Sequence, residues 1–258
     1  MDPTKERAPL VSVIMPAYNA ARFIEEAIRS VMAQTLTDWE LLVLDDGSSD
    51  DTVRIAQTLA QTDSRIKVLP NEHNMGVART RNRGFDLCRG RYVALLDSDD
   101  VWYPQKLERQ TALMQETGAA LCYCSYAIVD ADGNKTRADY LVPAAVDLDA
   151  LLKQNVIGCS TVMLCTEVTE TYRFEEDFYH EDYVLWLRLL QDGCKFVGCT
   201  QLLAAWRYVE NSRSFNKWNA AKKRWLIYRR YLQLGFVYSA RLTAEYALQG
   251  LRKYSKKY

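Results

Sequence analysis

Short apolar runs alternate with segments of helical period along the first part of the chain. The apolar runs predict four strands, at residues 11–15, 39–44, 65–69 and 92–96. The segments between them predict three helices, at residues 20–34, 52–61 and 76–88. The second run is apolar throughout after Glu40, as expected for a central strand covered on both faces. Strands that alternate with helices in this way predict an α/β fold with a Rossmann-like, mainly parallel sheet flanked by helices.

The rest of the chain has shorter and less regular periods. It predicts helices at 104–117 and 147–155 and a further helix that opens at Asp182. Strands are predicted at residues 119–129, 160–165, 195–199 and 201–206, the last two as edge or late strands. Asp132-Gly133 lies in a polar stretch, 130–134, which is typical of a hairpin turn.

Composition limits the classes of protein that this chain can encode. Its 258 residues, 48% of them hydrophobic, are enough for one large α/β domain or a domain with an appendage. The seven cysteines include no CxxC pair and there are only two histidines, so a zinc site is not expected. Scattered cysteines are typical of reduced thiols in a cytosolic protein. No apolar run is as long as a membrane span, and the polar N-terminus predicts no signal peptide.

Charge is balanced over the whole chain but not along it. Residues 213–258 contain twelve Lys or Arg and one acid, a net +11, which leaves 21 cations and 32 acids, a net −11, for the remainder. Large residues recur there at helical spacing: Trp218, Ala221, Trp225, Tyr228 and Leu232. This pattern predicts a basic, aromatic helical extension that either lies on an anionic membrane surface or packs on the protein itself or a second subunit. Nucleic acid is not expected as a partner, because no RNA- or DNA-binding module is visible.

Polar side chains follow three of the predicted parallel strands, at the point where each strand ends. They are Tyr18-Asn19, Asp45-Asp46 and Asp97-Ser98-Asp99-Asp100. Because parallel strands share a carboxyl end, we expect these side chains at one edge of the sheet, where open α/β sheets bind ligands. Crowded carboxylates repel one another unless a cation lies among them, and Mg²⁺ or Mn²⁺ shared with a substrate phosphate would supply that charge. The alternative is a polar turn in which Asp99 or Asp100 caps the next helix.

Arginines alternate along the helix predicted at 76–88, at Arg79, Arg81 and Arg83. The chain has no GxGxxG after the first strand and no GxxxxGK[ST], so neither a dinucleotide fingerprint nor a P-loop would bind a phosphate. A metal ion and one of these arginines would have to meet it instead. The predicted edge therefore holds groups suited to a base, a ribose, a metal and a diphosphate.

Five motifs in this order resemble the family 2 inverting glycosyltransferases, which have the GT-A fold. The motifs lie at residues 11–19, 40–50, 76–84, 92–100 and 180–190. The resemblance implies a GT-A catalytic domain at 1–212, with a nucleotide-sugar half at about 10–100 and an acceptor half at about 101–212. The basic helical tail, 213–258, would follow it.

The resemblance also implies which residues bind the donor: Pro16, Tyr18, Asp46, Arg81 and Asp97. Tyr18 would stack on the base, Asp46 would form a hydrogen bond with it, and Asp97 would contact the ribose. Arg81 would approach the base or the diphosphate, with Arg79 as its competitor. Asp45 is expected only to fix its turn.

The remaining roles that the resemblance implies are those of the metal ligand and the base. Asp99, in the DXD motif, would ligate Mn²⁺ or Mg²⁺, and Asp182 would take the proton of the acceptor hydroxyl. Asp182 could instead be a simple N-cap, Glu181 is the alternative base, and His180 beside it would line the acceptor pocket. Many members carry a histidine after a late Tyr-Arg strand, whereas 206–212 contain none here. The metal would then be held mainly by Asp99, diphosphate and water, or with help from Glu210.

The implied function is metal-dependent, inverting transfer of a sugar from a nucleotide-diphosphate donor, with UDP the commoner nucleotide. The acceptor would be a hydroxyl of a glycan or a polyprenyl-linked saccharide in the synthesis of a bacterial surface polysaccharide such as O-antigen. The protein would be cytoplasmic, free or peripheral at the inner face of the plasma membrane, as a monomer or homodimer. One alternative is a non-catalytic scaffold with the same fold. The other is a sugar nucleotidyltransferase, which would more typically carry a Gly-rich basic loop at 16–19.

Overall fold

The computed structural model describes residues 7–208 and 217–255, without the side chains of 217–221 and 247–255. The strands are β1 (Val11–Ala17), β2 (Trp39–Asp45), β3 (Ile66–Pro70), β4 (Tyr92–Leu95), β5 (Val101–Trp102), β6 (Leu121–Val129), β7 (Met163–Cys165) and β8 (Phe196–Arg207). The α-helices are α1 (Ile24–Met32), α2 (Thr52–Ala60), α3 (Val77–Leu87), α4 (Lys106–Thr117), α5 (Leu148–Lys153), α6 (Thr166–Thr171), α7 (Glu181–Gln191), α8 (Lys217–Leu226) and α9 (Phe236–Ser255). A 3₁₀ turn covers Cys159–Thr161, and a π-helical segment covers Ile227–Tyr231.

All the described strands form one sheet in the order β3-β2-β1-β4-β7-β6-β8-β5. The first four are parallel to one another, as βαβ units require. Strand β7 then runs antiparallel to both β4 and β6, while β6 and β8 are parallel. The predicted α/β fold with a mainly parallel sheet and flanking helices is confirmed, and each antiparallel pairing among these strands involves β7 or β8, which come from the second half of the chain.

Helices cover both faces of the central strands, which is why β1 and β2 are buried along their whole length. Val13 and Met15 face a core shared with α1, and Ile14 faces a second core shared with α3 and α7. Helix α3 lies very close to the sheet at Gly84, where an added Cβ would come within 2.6 Å of the Ile14 side chain. Arg81 lies one turn before Gly84 on the same side of α3, so this close packing also positions its side chain.

The structure corrects several predicted elements. The strands predicted at 195–199 and 201–206 are one strand, β8, which lies inside the sheet between β6 and β5. A register irregularity opposite Cys124 and Ser125 interrupts its period and explains the apparent break. The segment predicted as a strand at 160–165 begins as a 3₁₀ turn, and only its end forms β7. Strand β5 and helix α6 escaped prediction because neither is long enough to show a period.

The described part of the tail packs on the rest of the protein. Ile227, Tyr228 and Leu242 are buried in the core that α7 also covers. The Tyr228 hydroxyl donates a hydrogen bond of 2.7 Å to the carbonyl oxygen of Leu152. Packing on the protein therefore describes this segment, although the side chains of Trp218 and Ala221 lie outside the described residues. The predicted domain boundary at 212 also lies outside them. No helix in the described ranges has the length and apolar character needed to cross a membrane.

Candidate active site

The carboxyl ends of the parallel strands border one cleft of about 590 Å³. The residues predicted first for donor binding, metal binding and catalysis all line this cleft: Pro16, Tyr18, Asp46, Arg81, Asp97, Asp99 and Asp182. His180, predicted to line the acceptor pocket, lines the same cleft. The shared direction of β1, β2 and β4 brings most of these residues together, whereas Asp182 reaches the cleft from α7. The structure therefore assembles the predicted set in one place, and the individual roles remain predictions.

Two loops at the cleft mouth are tied together through Asn19. Its backbone N–H donates to the Ser48 hydroxyl, and its side-chain oxygen accepts from the Ser49 N–H, both at 2.9 Å. Asn19 has a φ of 48°, in the left-handed region that asparagine tolerates better than most residues. The exposed ring of Tyr18 is held beside this junction. An aromatic face is thus presented at the cleft mouth, as stacking on a base requires.

Asp45 and Asp46, at the end of β2, stabilise different loops. One Asp45 oxygen accepts the N–H groups of Gly47 and Ser48, which confirms that Asp45 fixes its turn. Asp46 accepts from the backbone N–H of Met75 at 2.8 Å and from that of Gly76 at 2.9 Å. Asp46 therefore positions the loop that leads into α3, a role that its local sequence did not indicate. Its predicted hydrogen bond to a base would have to use the acceptor capacity that these bonds leave.

A buried guanidinium joins the two sides of the cleft. Arg81 lies 2.6 Å from a carboxylate oxygen of Asp97 and 2.7 Å from one of Glu181. Arg81 therefore links the loop after β4 to α7, and its partner Glu181 lies 100 residues further along the chain than Arg81 itself. Its competitor Arg79 is largely exposed and pairs with Glu176 on the surface. Of the three alternating arginines, only Arg81 lines the cleft.

The carboxylates of the 97–100 run separate into buried and cleft-facing groups. Asp100 is buried and accepts hydrogen bonds from the Ser160 hydroxyl and from the backbone N–H of Arg207. The Arg207 side chain also donates to the Asp99 carbonyl oxygen at 2.8 Å. Asp100 thus secures the turn, and neither Asp99 nor Asp100 caps the next helix, whose N-cap is Gln105. Asp97 and Asp99 remain available to a ligand in the cleft.

Asp99 has the donor chemistry and electrostatics expected of a ligand for a hard divalent cation. Burial, together with the negative charge of Asp97, raises the pKa of Asp99 to about 6. Nearby positive charge would favour its ionised form. No cluster of three or more His, Cys, Asp or Glu side chains in the described ranges could hold a metal ion. A hard cation in this cleft would be held chiefly through Asp99, with diphosphate and water completing its shell. Glu210 lies outside the described residues.

Asp182 and Glu181 share the first turn of α7 but have different partners. Glu181 is held by Arg81, whereas a carboxylate oxygen of Asp182 accepts the backbone N–H of Tyr183 at 2.7 Å. Helix α7 begins at Glu181, with His180 as its N-cap residue, so the alternative reading of Asp182 as an N-cap is wrong. Burial raises the pKa of Asp182, and the positive charge of Arg81 opposes that shift. Asp182 is therefore a cleft-facing carboxylate whose affinity for a proton is increased, as a general base needs.

Two further residues lie in or beside this cleft although the sequence pointed to neither. Cys159 lines the cleft near Arg81, and burial raises the pKa of its thiol, so it stays neutral. Arg224 of α8 is buried with its guanidinium 3.5 Å from the Tyr183 ring centre, and its charge partly opposes the rise that burial causes in the pKa of Asp182. The sequence placed Arg224 among the cations of the tail. Only its position within an aromatic stripe could have indicated burial.

Sequence comparison identifies close relatives along nearly the whole chain. The family described as Glycosyl transferase family 2 matches residues 12–169. TuaG of Bacillus subtilis, whose name assigns it to teichuronic acid biosynthesis, is 39% identical over 245 residues, which are 95% of this chain and 97% of TuaG. WfgD of Escherichia coli, a UDP-Glc:α-D-GlcNAc-diphosphoundecaprenol β-1,3-glucosyltransferase by name, is 39% identical over 218 residues, 84% of either chain.

Solved structures share the fold at lower sequence identity. TarS of S. aureus in complex with UDP-GlcNAc has a TM-score of 0.72 and 21% identity, covering 92% of this chain and 71% of that one. The mannosyltransferase PcManGT from Pyrobaculum calidifontis, in complex with GDP-Man and Mn²⁺, has a TM-score of 0.68 and 18% identity, covering 96% and 71%. These similarities confirm the predicted GT-A architecture.

Proposed function

The chain belongs to glycosyl transferase family 2 and is a glycosyltransferase, and from this premise we propose that it transfers a sugar from a UDP-sugar, with inversion and with a divalent metal. The acceptor is a hydroxyl of a lipid-linked saccharide in bacterial surface polysaccharide synthesis. One observation carries the proposal: a carboxylate suited to a base and one suited to a metal line the same cleft, with Arg81 between their supporting elements.

The donor would lie across the carboxyl ends of β1, β2 and β4. Tyr18 stacks on the base at the cleft mouth, and Pro16 and Asp46, which line the same cleft, also contact it. Asp97 contacts the ribose, and Arg81 keeps the Asp97 carboxylate oriented while contributing positive charge near the diphosphate. The name of WfgD specifies UDP-Glc, and the TarS structure contains UDP-GlcNAc. Both support UDP as the nucleotide of the donor.

A divalent cation, Mn²⁺ or Mg²⁺, would be held by Asp99 and would neutralise negative charge on the leaving diphosphate. Support comes from the raised pKa of Asp99 and from the Mn²⁺ in the PcManGT complex.

The chemical step needs one proton acceptor opposite the leaving group. The acceptor oxygen forms a bond to the anomeric carbon, the bond from that carbon to the phosphate oxygen breaks, and its electron pair leaves with the diphosphate. Asp182 takes the proton of the attacking hydroxyl. Glu181 does not compete, because the guanidinium of Arg81 engages it. Burial of Asp182 favours this role because it raises the proton affinity of its carboxylate.

We propose that the protein acts at the inner face of the plasma membrane, where a polyprenyl-linked acceptor would be presented. The lipid-linked substrate in the name of WfgD supports this class of acceptor. A homodimer would be compatible with the same site and requires no change in the mechanism.

The test combines nucleotide binding with transfer. In a thermal-shift assay, UDP with Mn²⁺ should raise the melting temperature more than UDP alone or than GDP, CDP or TDP with Mn²⁺. Asp182→Asn should retain that shift and lose at least about a hundredfold in transfer rate, the usual contribution of a general base. Asp177→Asn, which changes an exposed carboxylate outside the cleft, is the matched control. Unchanged transfer by Asp182→Asn would eliminate it as the base, and nucleotide binding without transfer in the wild type would favour the scaffold.

A further inference from the structure

Large apolar side chains of the tail are exposed together in the first turn of α9. Phe236 and Val237, which we call the apolar patch, are 66% and 81% exposed. The Phe236 ring packs edge-to-face on Trp225 of α8, with ring centres 5.4 Å apart. A single exposed apolar residue needs no explanation, but two adjoining ones, one of them packed on Trp225, form an apolar surface of the kind that meets an apolar partner.

The turn that presents the apolar patch is anchored to the protein core. The backbone N–H of Leu234 donates to the carbonyl oxygen of Tyr228 at 2.9 Å, and the Arg229 side chain donates to the Leu234 carbonyl oxygen. Gln233 between them has a left-handed φ of 51°. Because Tyr228 is fully buried, these contacts hold the patch at a defined position on the molecule.

Cations accompany the apolar patch. Lys222 and Arg230 are exposed. Arg241, which is exposed and pairs with Glu245 at 2.9 Å, lies one helical turn after Val237 on the same face of α9. The sequence from residue 222 to 246 holds six Lys or Arg and one acid, Glu245. On an anionic bilayer, apolar side chains would contact the acyl boundary, and neighbouring cations would contact the lipid phosphates. This charge favours an anionic membrane over an uncharged apolar protein surface.

Helix α8 connects the apolar patch with the active site. The Lys223 ammonium lies 2.9 Å from the ring centre of Tyr179, which lines the cleft. Trp225, two residues later and therefore on the other side of α8, contacts Phe236. About one helix diameter, roughly 10–12 Å, separates the cleft wall from the patch.

We propose that the apolar patch inserts into the headgroup layer of an anionic bilayer and thereby holds the cleft beside the membrane surface. The role of this docking in catalysis rests on the proposed function, because it requires a lipid-linked acceptor whose saccharide lies next to the headgroups. Docking would then confine enzyme and acceptor to the same surface and raise their effective concentration.

Vesicle flotation of the full chain, without nucleotide or acceptor, tests the docking. Vesicles of phosphatidylglycerol with phosphatidylcholine should bind the wild type, vesicles of phosphatidylcholine alone should bind it less, and added salt should weaken binding. Val237→Asp should lower binding about tenfold or more, because it removes apolar area and adds a repelled charge. Leu141→Asp is the matched control, since Leu141 is 71% exposed on a different part of the protein. Equal melting temperatures establish that all three proteins fold.

Two outcomes would overturn the docking. The first is equal binding by Val237→Asp and the wild type, or an equal loss in Leu141→Asp. The second is a dimer in sedimentation without vesicles that Val237→Asp converts to a monomer, which would make the apolar patch a subunit interface. Transfer to a water-soluble acceptor separates this inference from the proposed function. Patch-dependent vesicle binding without any transfer would contradict the proposed function alone, whereas transfer without vesicle binding would contradict the docking alone.

Discussion

Replacing Arg81 with methionine removes a buried cation that two carboxylates share. The Glu181 side chain is only 10% exposed, so its charge cannot be hydrated after the change, whereas Asp97 is 34% exposed and can turn to water. Removing one partner of a buried pair costs about 3–5 kcal/mol. Because one of the two carboxylates can recover hydration, we expect the lower end, about 3 kcal/mol, which corresponds to a fall in Tm of roughly 6–12 °C for a chain of this size.

Urea unfolding measures this cost against two companion variants. Arg79→Met removes an exposed cation from the same helix, whose surface partner is Glu176, and should cost less than about 1 kcal/mol. Adding Glu181→Gln to Arg81→Met should restore part of the stability, because an amide is far less costly to bury than an unpaired carboxylate. If Arg81→Met lowers the free energy of unfolding no more than Arg79→Met does, the buried ion pairs of Arg81 do not stabilise the fold.

The pH dependence provides a sign test of the same pair. Burial raises the pKa of Glu181, and the charge of Arg81 partly opposes that shift, so Arg81→Met should raise the pKa further. A carboxyl whose pKa is raised by folding contributes stability below its unfolded pKa and loses that stability as pH rises through the folded pKa. The deficit of Arg81→Met relative to the wild type should therefore be larger at pH 8 than at pH 5. A deficit that grows toward acid pH would refute this reasoning.

Burial lowers the pKa of Lys106 to about 8 from an ordinary 10.5. The unfolded chain therefore binds more protons between these two pH values, so the free energy of unfolding should rise with pH across them and be lost as pH falls through 8. In urea unfolding, Lys106→Met should reduce the slope of this free energy against pH by at most about 1.4 kcal/mol per pH unit. Gly198→Ala places a Cβ against the Pro143 carbonyl oxygen and should lower the free energy of unfolding by about 1–3 kcal/mol. An unchanged urea midpoint would contradict this packing. Tyr228→Phe loses the hydrogen bond to Leu152 and should cost about 1 kcal/mol in the same assay, which would show that the tail is docked in solution.

Local periodicity was sufficient for the parallel half of the sheet. A buried strand, a turn residue and a helical period are each encoded in a few neighbouring residues, so β1 to β4 and α1 to α3 could be predicted in order. Polar residues after those strands had to meet at one edge, because parallel strands share a direction. Strand direction alone therefore predicts that Tyr18, Asp46 and Asp97 lie together, and all three line the cleft.

Contacts between distant segments were decided only by the tertiary structure. The bridge from Arg81 to Glu181 and the burial of Arg224 against Tyr183 join segments that no local pattern connects. The assignment of Asp100 to the turn, rather than to the cleft, likewise depends on Arg207, which arrives from the far end of β8. Residue type and order therefore determined which chemistry is present, whereas packing decided which carboxylates are neutralised inside and which face a ligand, because desolvation and pairing depend on neighbours in space.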